Sequence, residues 1–190
     1  MGRDLVMTEG EVDSAARDVL DFWFGLTTAQ QFAKDVALDR QIDARFAGLR
    51  ERVLATRAAA WRGHARHLLA AVILLDQFSR NLLRGQAAAF AADPLARELT
   101  EFAIAQGWDR SLPAAERVFL YMPLMHAEDA EGQARSVAMF EALGIEENLT
   151  FARDHAAVLA RFGRFPSRNA ALGRETTEEE RAYLQAGGGW

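Results

Sequence analysis

The run from Leu68 to Phe78 constrains this chain more than any other feature. Leu68, Leu69, Val72, Ile73, Leu75 and Phe78 leave a helix almost no polar side, and a helix that is apolar nearly all round must lie in the middle of a domain. The run ends in Asp76, Gln77, Arg80, Asn81 and Arg84, so these polar groups start from a buried scaffold. A partial echo, Arg-Phe-Gly-Arg-Phe-Pro-Ser-Arg-Asn, spans Arg161 to Asn169. Both pieces place a Phe ahead of an Arg-Asn pair where helical periodicity gives way to a turn, and together they read as two halves of one polar centre.

Elsewhere the apolar spacing is helical and no window alternates long enough for a strand, which predicts an all-α fold. Thr8-x-x-Glu11 forms a capping box, and Val12, Ala16, Val19, Leu20 and Trp23 share a face until Gly25. After a loop over Thr27 to Lys34, a second helix carries Leu38, Ile42, Phe46, Leu49 and Val53; the third is the central run, read as continuous to Phe78. Asp93-Pro94 is read as an N-cap and first-turn proline, opening a helix with Leu95, Leu99, Phe102 and Ala103 inward. Pro123 is expected to kink or break a fifth helix near Tyr121, freeing carbonyls that need partners. Val137, Phe140 and Leu143 mark a sixth helix, and Phe151, His155, Val158, Leu159 and Phe162 a seventh. Thr177-x-x-Glu180 caps a last short one bearing Tyr183 and Leu184. Short connections imply antiparallel helical hairpins, stacked as a right-handed superhelix in preference to a closed bundle. No repeat of tetratricopeptide length is visible in the sequence itself.

The 190 residues suit a single domain able to bury roughly 70% of its unfolded surface, with residues 1–8 and 187–190 expected to be loose tails. The chain has no cysteine, which excludes disulfides and thiolate chemistry and fits a reducing compartment. No signal peptide or membrane span is evident, so a cytoplasmic location is expected. Net charge is −5 with a pI near 5.4, a field that repels nucleic acid and gives no reason to expect a membrane partner. With 21 Arg against the single Lys34, only clustering of arginines carries information.

Three strings carry a resemblance: Leu74-Leu-Asp-Gln-Phe-Ser-Arg-Asn-Leu-Leu-Arg-Gly85, Glu116-Arg-Val-Phe-Leu-Tyr-Met-Pro-Leu-Met-His-Ala-Glu128 and Arg161 to Asn169. Joined by Leu172-Gly-Arg-Glu-Thr-Thr-Glu-Glu179, they resemble a bacterial family catalogued as a domain of unknown function, number nine hundred and twenty-four, over about Val19 to Leu184. The resemblance implies a tetratricopeptide-like helical superhelix and brings no established activity. Three positions depart from the pattern of that family: Ser79 stands where a proline is usual, Ala127 where a serine is usual, and Ser167 where a histidine is usual.

Arg80, Arg84, Arg161, Arg164, Arg168 and Arg174, with Asn81 and Asn169, are candidates for a pocket that takes a carboxylate or phosphate, because planar guanidinium forks bind such anions bidentately. Asp76, Gln77 and Tyr121 complete the candidate ligand-binding set, Tyr121 and the two asparagines orienting the ligand. The alternative is a buried network in which Asp76, Glu128 and freed carbonyls neutralise these arginines and lock helix ends together, with Asn81 and Asn169 as left-handed caps. His126 and Glu128 form the candidate acid–base pair of a small-molecule hydrolase or isomerase. Neither cofactor nor metal is expected: P-loop, dinucleotide and G-x-S-x-G patterns are missing, and His64-x-x-His67 has no third ligand nearby. His155 is read as a core histidine. The expected partner is a small anionic ligand or an acidic peptide end; a protein scaffold and a homo-oligomer are further readings.

Overall fold

The computed structural model describes residues 7–189, and their regular structure is all helical. Helix α1 (Glu9–Phe24) opens on the expected capping box: the Glu11 amide donates to Thr8 Oγ1 at 3.3 Å and the Thr8 amide to Glu11 Oε2 at 2.7 Å. Its buried stripe is Val12, Ala16, Val19, Leu20 and Trp23. The expected loop after it contains a short helix, α2 (Thr28–Phe32), whose capping box pairs Thr27 with Gln30; the glutamine does what the glutamate does in α1. In α3 (Val36–Ala55) the buried stripe runs through Leu38, Ile42, Phe46, Arg50 and Val53, and the expected Leu49 packs half-buried against the core beside Arg50.

The central run is two helices, α4 (Ala65–Leu75) and α5 (Gln77–Leu82), interrupted at Asp76. Every α4 residue from Leu68 to Leu75 is buried. The interruption leaves the Asp76 carbonyl in need of a donor, and Arg80 Nη1 supplies one at 2.9 Å. Helix α6 (Asp93–Ala105) is capped by Ala92; Asp93 is its first helical residue and turns its carboxylate to Arg80, which is why it does not serve as the expected N-cap. Helix α7 (Ala114–Met125) continues through Pro123 without breaking. The carbonyl of Leu120, next to the one that Pro123 cannot satisfy, accepts from Thr100 Oγ1 at 2.8 Å.

Helix α8 (Ala130–Leu143) ends at Gly144 and α9 (Glu146–Phe162) at Gly163; both glycines take the left-handed conformation that closes a helix without a Cβ clash. The buried side of α9 is Leu149, Ala152, His155 and Leu159, so Phe151, expected inward, is 42% exposed. Helix α10 (Glu178–Gln185) starts from the Thr177 capping box. Of the expected tails, residues 1–6 and 190 lie outside the described residues; Thr8 caps α1, and the Gly188 amide donates to the Tyr183 carbonyl at 3.0 Å.

Helix α4 packs against α1, α3, α6 and α7. Trp23 meets Phe78 and Phe119 edge-on at 5.6 and 5.4 Å, tying α1 to α5 and α7. A stacked superhelix gives each hairpin contacts with its sequence neighbours; α7, α8 and α9 pack in this way, whereas around α4 the helices close on all sides. No helix among the described residues is long and apolar enough to cross a membrane. The burial pattern predicts that Leu74→Ala, at a fully buried site on α4, costs about 2–5 kcal/mol in urea unfolding, while Phe151→Ala on the open side of α9 changes stability by about 0.5 kcal/mol or less.

Candidate functional site

The break between α4 and α5 turns the Asp76 side chain inward, where it is completely buried. His126 Nδ1 lies 2.7 Å from Asp76 Oδ1, Gln77 Nε2 donates to Oδ2 at 2.6 Å, and Arg80 Nη1 lies 3.0 Å from Oδ1. Burial alone would raise the Asp76 carboxyl; Arg80, His126 and Gln77 outweigh it and hold the group well below the usual carboxylate range. Burial, with Arg80 behind it, pushes His126 down. An ionised carboxylate beside a neutral imidazole places the ring proton on Nδ1, and Nε2 is left with a lone pair.

His126 sits at the C-terminal end of α7, where helix carbonyls run out of amide partners. Gln133 of α8 donates through Nε2 to the Met125 and Ala127 carbonyls at 2.8 and 2.7 Å, and Arg168 Nη2 donates to the carbonyl of His126 itself at 2.8 Å. Three consecutive carbonyls are thereby fixed, and the imidazole with them. Gln133 was missed in the sequence because nothing about an interior glutamine on a helix marks it; only its distance to the end of α7 does.

The two Arg-Asn segments meet at Asp93. Arg80 takes that carboxylate bidentately, both contacts at 3.0 Å, and Arg168 Nη1 reaches Oδ2 at 3.4 Å. The guanidinium of Arg168 lies 4.7 Å from the Phe90 ring centroid and 4.8 Å from that of Phe165, two cation–π contacts. Behind it, His155 on α9 packs edge-on against Phe165 at 5.5 Å, and its Nδ1 lies 2.8 Å from the Phe151 carbonyl. Burial first, and then His126, push His155 down to about 3; it is the expected core histidine.

From Asp93 the segments diverge. Asn81 and Arg84 go to Asp39 of α3, the amide at 2.8 Å and the guanidinium at 3.0 and 2.8 Å. Arg164 grips Glu180 at 2.6 and 2.9 Å, and Asn169 Nδ2 joins the same carboxylate at 3.1 Å; Arg164 above all holds Glu180 down to about 2. Arg161 pairs with Glu179 at the surface. Asn81 lies inside α5 and Asn169 has φ −56°, so neither is a left-handed cap. Tyr121 donates its hydroxyl to Asp109 at 2.6 Å and is not part of the cluster. Glu128 is not the partner of His126: it accepts from the Phe165 amide at 2.7 Å and from Arg174 at 2.9 and 2.6 Å.

At the other end of α4, roughly 16 Å along the helix, a groove of about 630 Å³ is lined by residues including Asp13, Arg17, His64 and His67. His67 Nε2 pairs with Asp13, and His64 Nδ1 accepts from the Arg66 amide as the N-cap of α4. Among the described residues no group of three or more His, Asp or Glu could hold a metal ion.

The two depressed imidazoles predict the acid response of the fold. An unfolded histidine takes up a proton near pH 6.5, which folded His126 and His155 resist, so stability falls as pH drops below about 6.5. Below about pH 4 the paired carboxylates Asp76 and Glu180 add a second loss, because protonation breaks pairs that the folded state holds ionised. Urea midpoints measured between pH 7.5 and 5 should decline in the wild type and decline less in His155→Phe. An equal slope in both would contradict this account of the burial of His155.

No curated protein matches the chain. A solved structure is similar to it: the protein of unknown function ATU0120 from Agrobacterium tumefaciens, 40% identical, with a TM-score of 0.88 over 92% of this chain and 99% of that one. Residues 19–188 match the family described as bacterial protein of unknown function (DUF924). The chain, with its Asp76–His126 pair and its Arg80–Asp93–Arg168 bridge, belongs to the DUF924 family.

Proposed function

We propose that this protein recognises a small anion, a carboxylate or a phosphate, at Arg168 beside His126. The observation that supports the reading is the incomplete pairing of Arg168. Asp93 is already held in two places by Arg80 and reaches Arg168 only at 3.4 Å, while Nη2 is spent on a backbone carbonyl. A guanidinium has five donors, and burial depresses this one despite the neighbouring acids. The Arg168 side chain keeps 11% of its surface open and that of His126 15%, so both can be reached from solvent.

The reading is narrower than the clustering of arginines suggests. Arg80, Arg84, Arg164 and Arg174 are each paired with a carboxylate at 3.0 Å or less, and Arg161 meets Glu179 in solvent. An arriving anion would have to displace those partners, whereas at Arg168 it adds a partner. The C-terminal carboxylate of a peptide presents the same chemistry as a small carboxylate. A second reading, proton transfer at His126, draws support from the 2.7 Å contact to Asp76, since a carboxylate that fixes the tautomer is what a general base requires; it uses Asp76 in place of Glu128.

A thermal-shift screen of carboxylated and phosphorylated metabolites tests the proposal. A ligand at 100 times its dissociation constant adds ~2.7 kcal/mol, and the shift should vanish in Arg168→Gln while persisting in Arg84→Gln, whose arginine is committed to Asp39. A ligand shift that survives Arg168→Gln would contradict the assignment, and so would one lost equally in both variants. Loss of a turnover in His126→Ala with binding retained would favour the second reading.

A further inference from the structure

Building on the anion site proposed above, we infer that its ligand is a monoanion that also carries a hydroxyl hydrogen, such as a hydroxy acid or a protonated oxyanion, with the anionic oxygen on Arg168 and the hydroxyl donating to His126 Nε2. The inference follows from what the two side chains can and cannot do. Arg168 only donates. His126 has Nδ1 committed to Asp76 at 2.7 Å, and Asp76 is kept anionic by Arg80 at 3.0 Å, so the exposed edge of the imidazole can only accept. A fully deprotonated anion offers acceptors alone; it satisfies Arg168 and sets an oxygen against a nitrogen lone pair. A ligand with an acceptor at one end and an O–H at the other satisfies both.

Charge and distance narrow the class further. In the cluster Asp76 and Asp93 face Arg80 and Arg168, two negative charges against two positive, so a first added charge meets the spare donors of Arg168 and a second has no cation of its own. Arg168 Nη2 donates to the backbone carbonyl of His126 at 2.8 Å, which makes the two residues direct neighbours. The acceptor and the donor of the ligand must therefore be close together, as the carboxylate and hydroxyl of a 2-hydroxy acid or the P–O⁻ and P–OH of a phosphate are.

The experiment is titration calorimetry on the intact protein at pH 6.5 and constant ionic strength with two charge-matched pairs of probes: inorganic phosphate against dimethyl phosphate, and 2-hydroxypropanoate against propanoate. At this pH phosphate is mainly a monoanion that carries P–OH, and dimethyl phosphate is a monoanion with none. The inference predicts that the hydroxyl-bearing member of each pair binds about tenfold tighter, the size of one neutral hydrogen bond. It also predicts that His126→Phe brings both ratios to about one while weak binding of all four probes remains. Equal binding within each pair by the wild type would overturn the inference and leave the anion reading standing; no binding of any probe would overturn both. A preference that persists in His126→Phe would also overturn it. The wild-type ratios decide the matter without the variant if that protein does not fold.

Discussion

Everything near the candidate site depends on one carboxylate taken out of water at a helix break. An ion moved into a protein interior loses several kcal/mol of hydration, and Asp76 recovers this through His126, Gln77 and Arg80, each within 3.0 Å. These partners come from the end of α7, the start of α5 and the next turn of α5, so the charge organises three chain segments around itself. Arg80 then carries the network outward to Asp93, and Asp93 to Arg168. Removing the negative charge would leave Arg80 half-paired and would free the tautomer of His126.

The helical architecture was legible because it is written locally. Capping boxes at Thr8 and Thr177 are short-range signals that mark the helix starts they should, and the apolar circumference of α4 is a local signal of its burial. Three misreadings turn on a partner distant in sequence. Asp93 looks like an N-cap and goes to Arg80 instead. Arg50 looks like a solvated cation and lies in the core stripe, its Nε 3.0 Å from Ser79 Oγ. Pro123 looks like a helix break, yet α7 continues where Thr100 meets the neighbouring carbonyl.

The site was half legible for the same reason. Two Arg-Asn segments that stop at helix ends did point to one place, and Arg80 and Arg168 do share Asp93. Of the opposing carboxylates, Asp76 and Glu128 were legible in the sequence, whereas Asp39 and Glu180 were not. Asp39, Glu128 and Glu180 come from other elements and absorb Arg84, Arg174 and Arg164, and Asp39 and Glu180 take Asn81 and Asn169 as well. An acidic chain whose default cation is arginine builds such pairs readily, and most of them fasten helix ends. Arg168 stands apart because its guanidinium, in contact with the rings of Phe90 and Phe165, lies where no carboxylate is its own.

The protonation state of one imidazole tests this account most directly. A long-range ¹H–¹⁵N correlation spectrum of the protein at pH 7 reports both ring nitrogens of His126. The account predicts a neutral ring with the proton on Nδ1, toward Asp76, and a lone pair on Nε2. A ring protonated on Nε2, or on both nitrogens, would mean that Asp76 does not fix the tautomer, and the acceptor edge on which the ligand assignment rests would not exist.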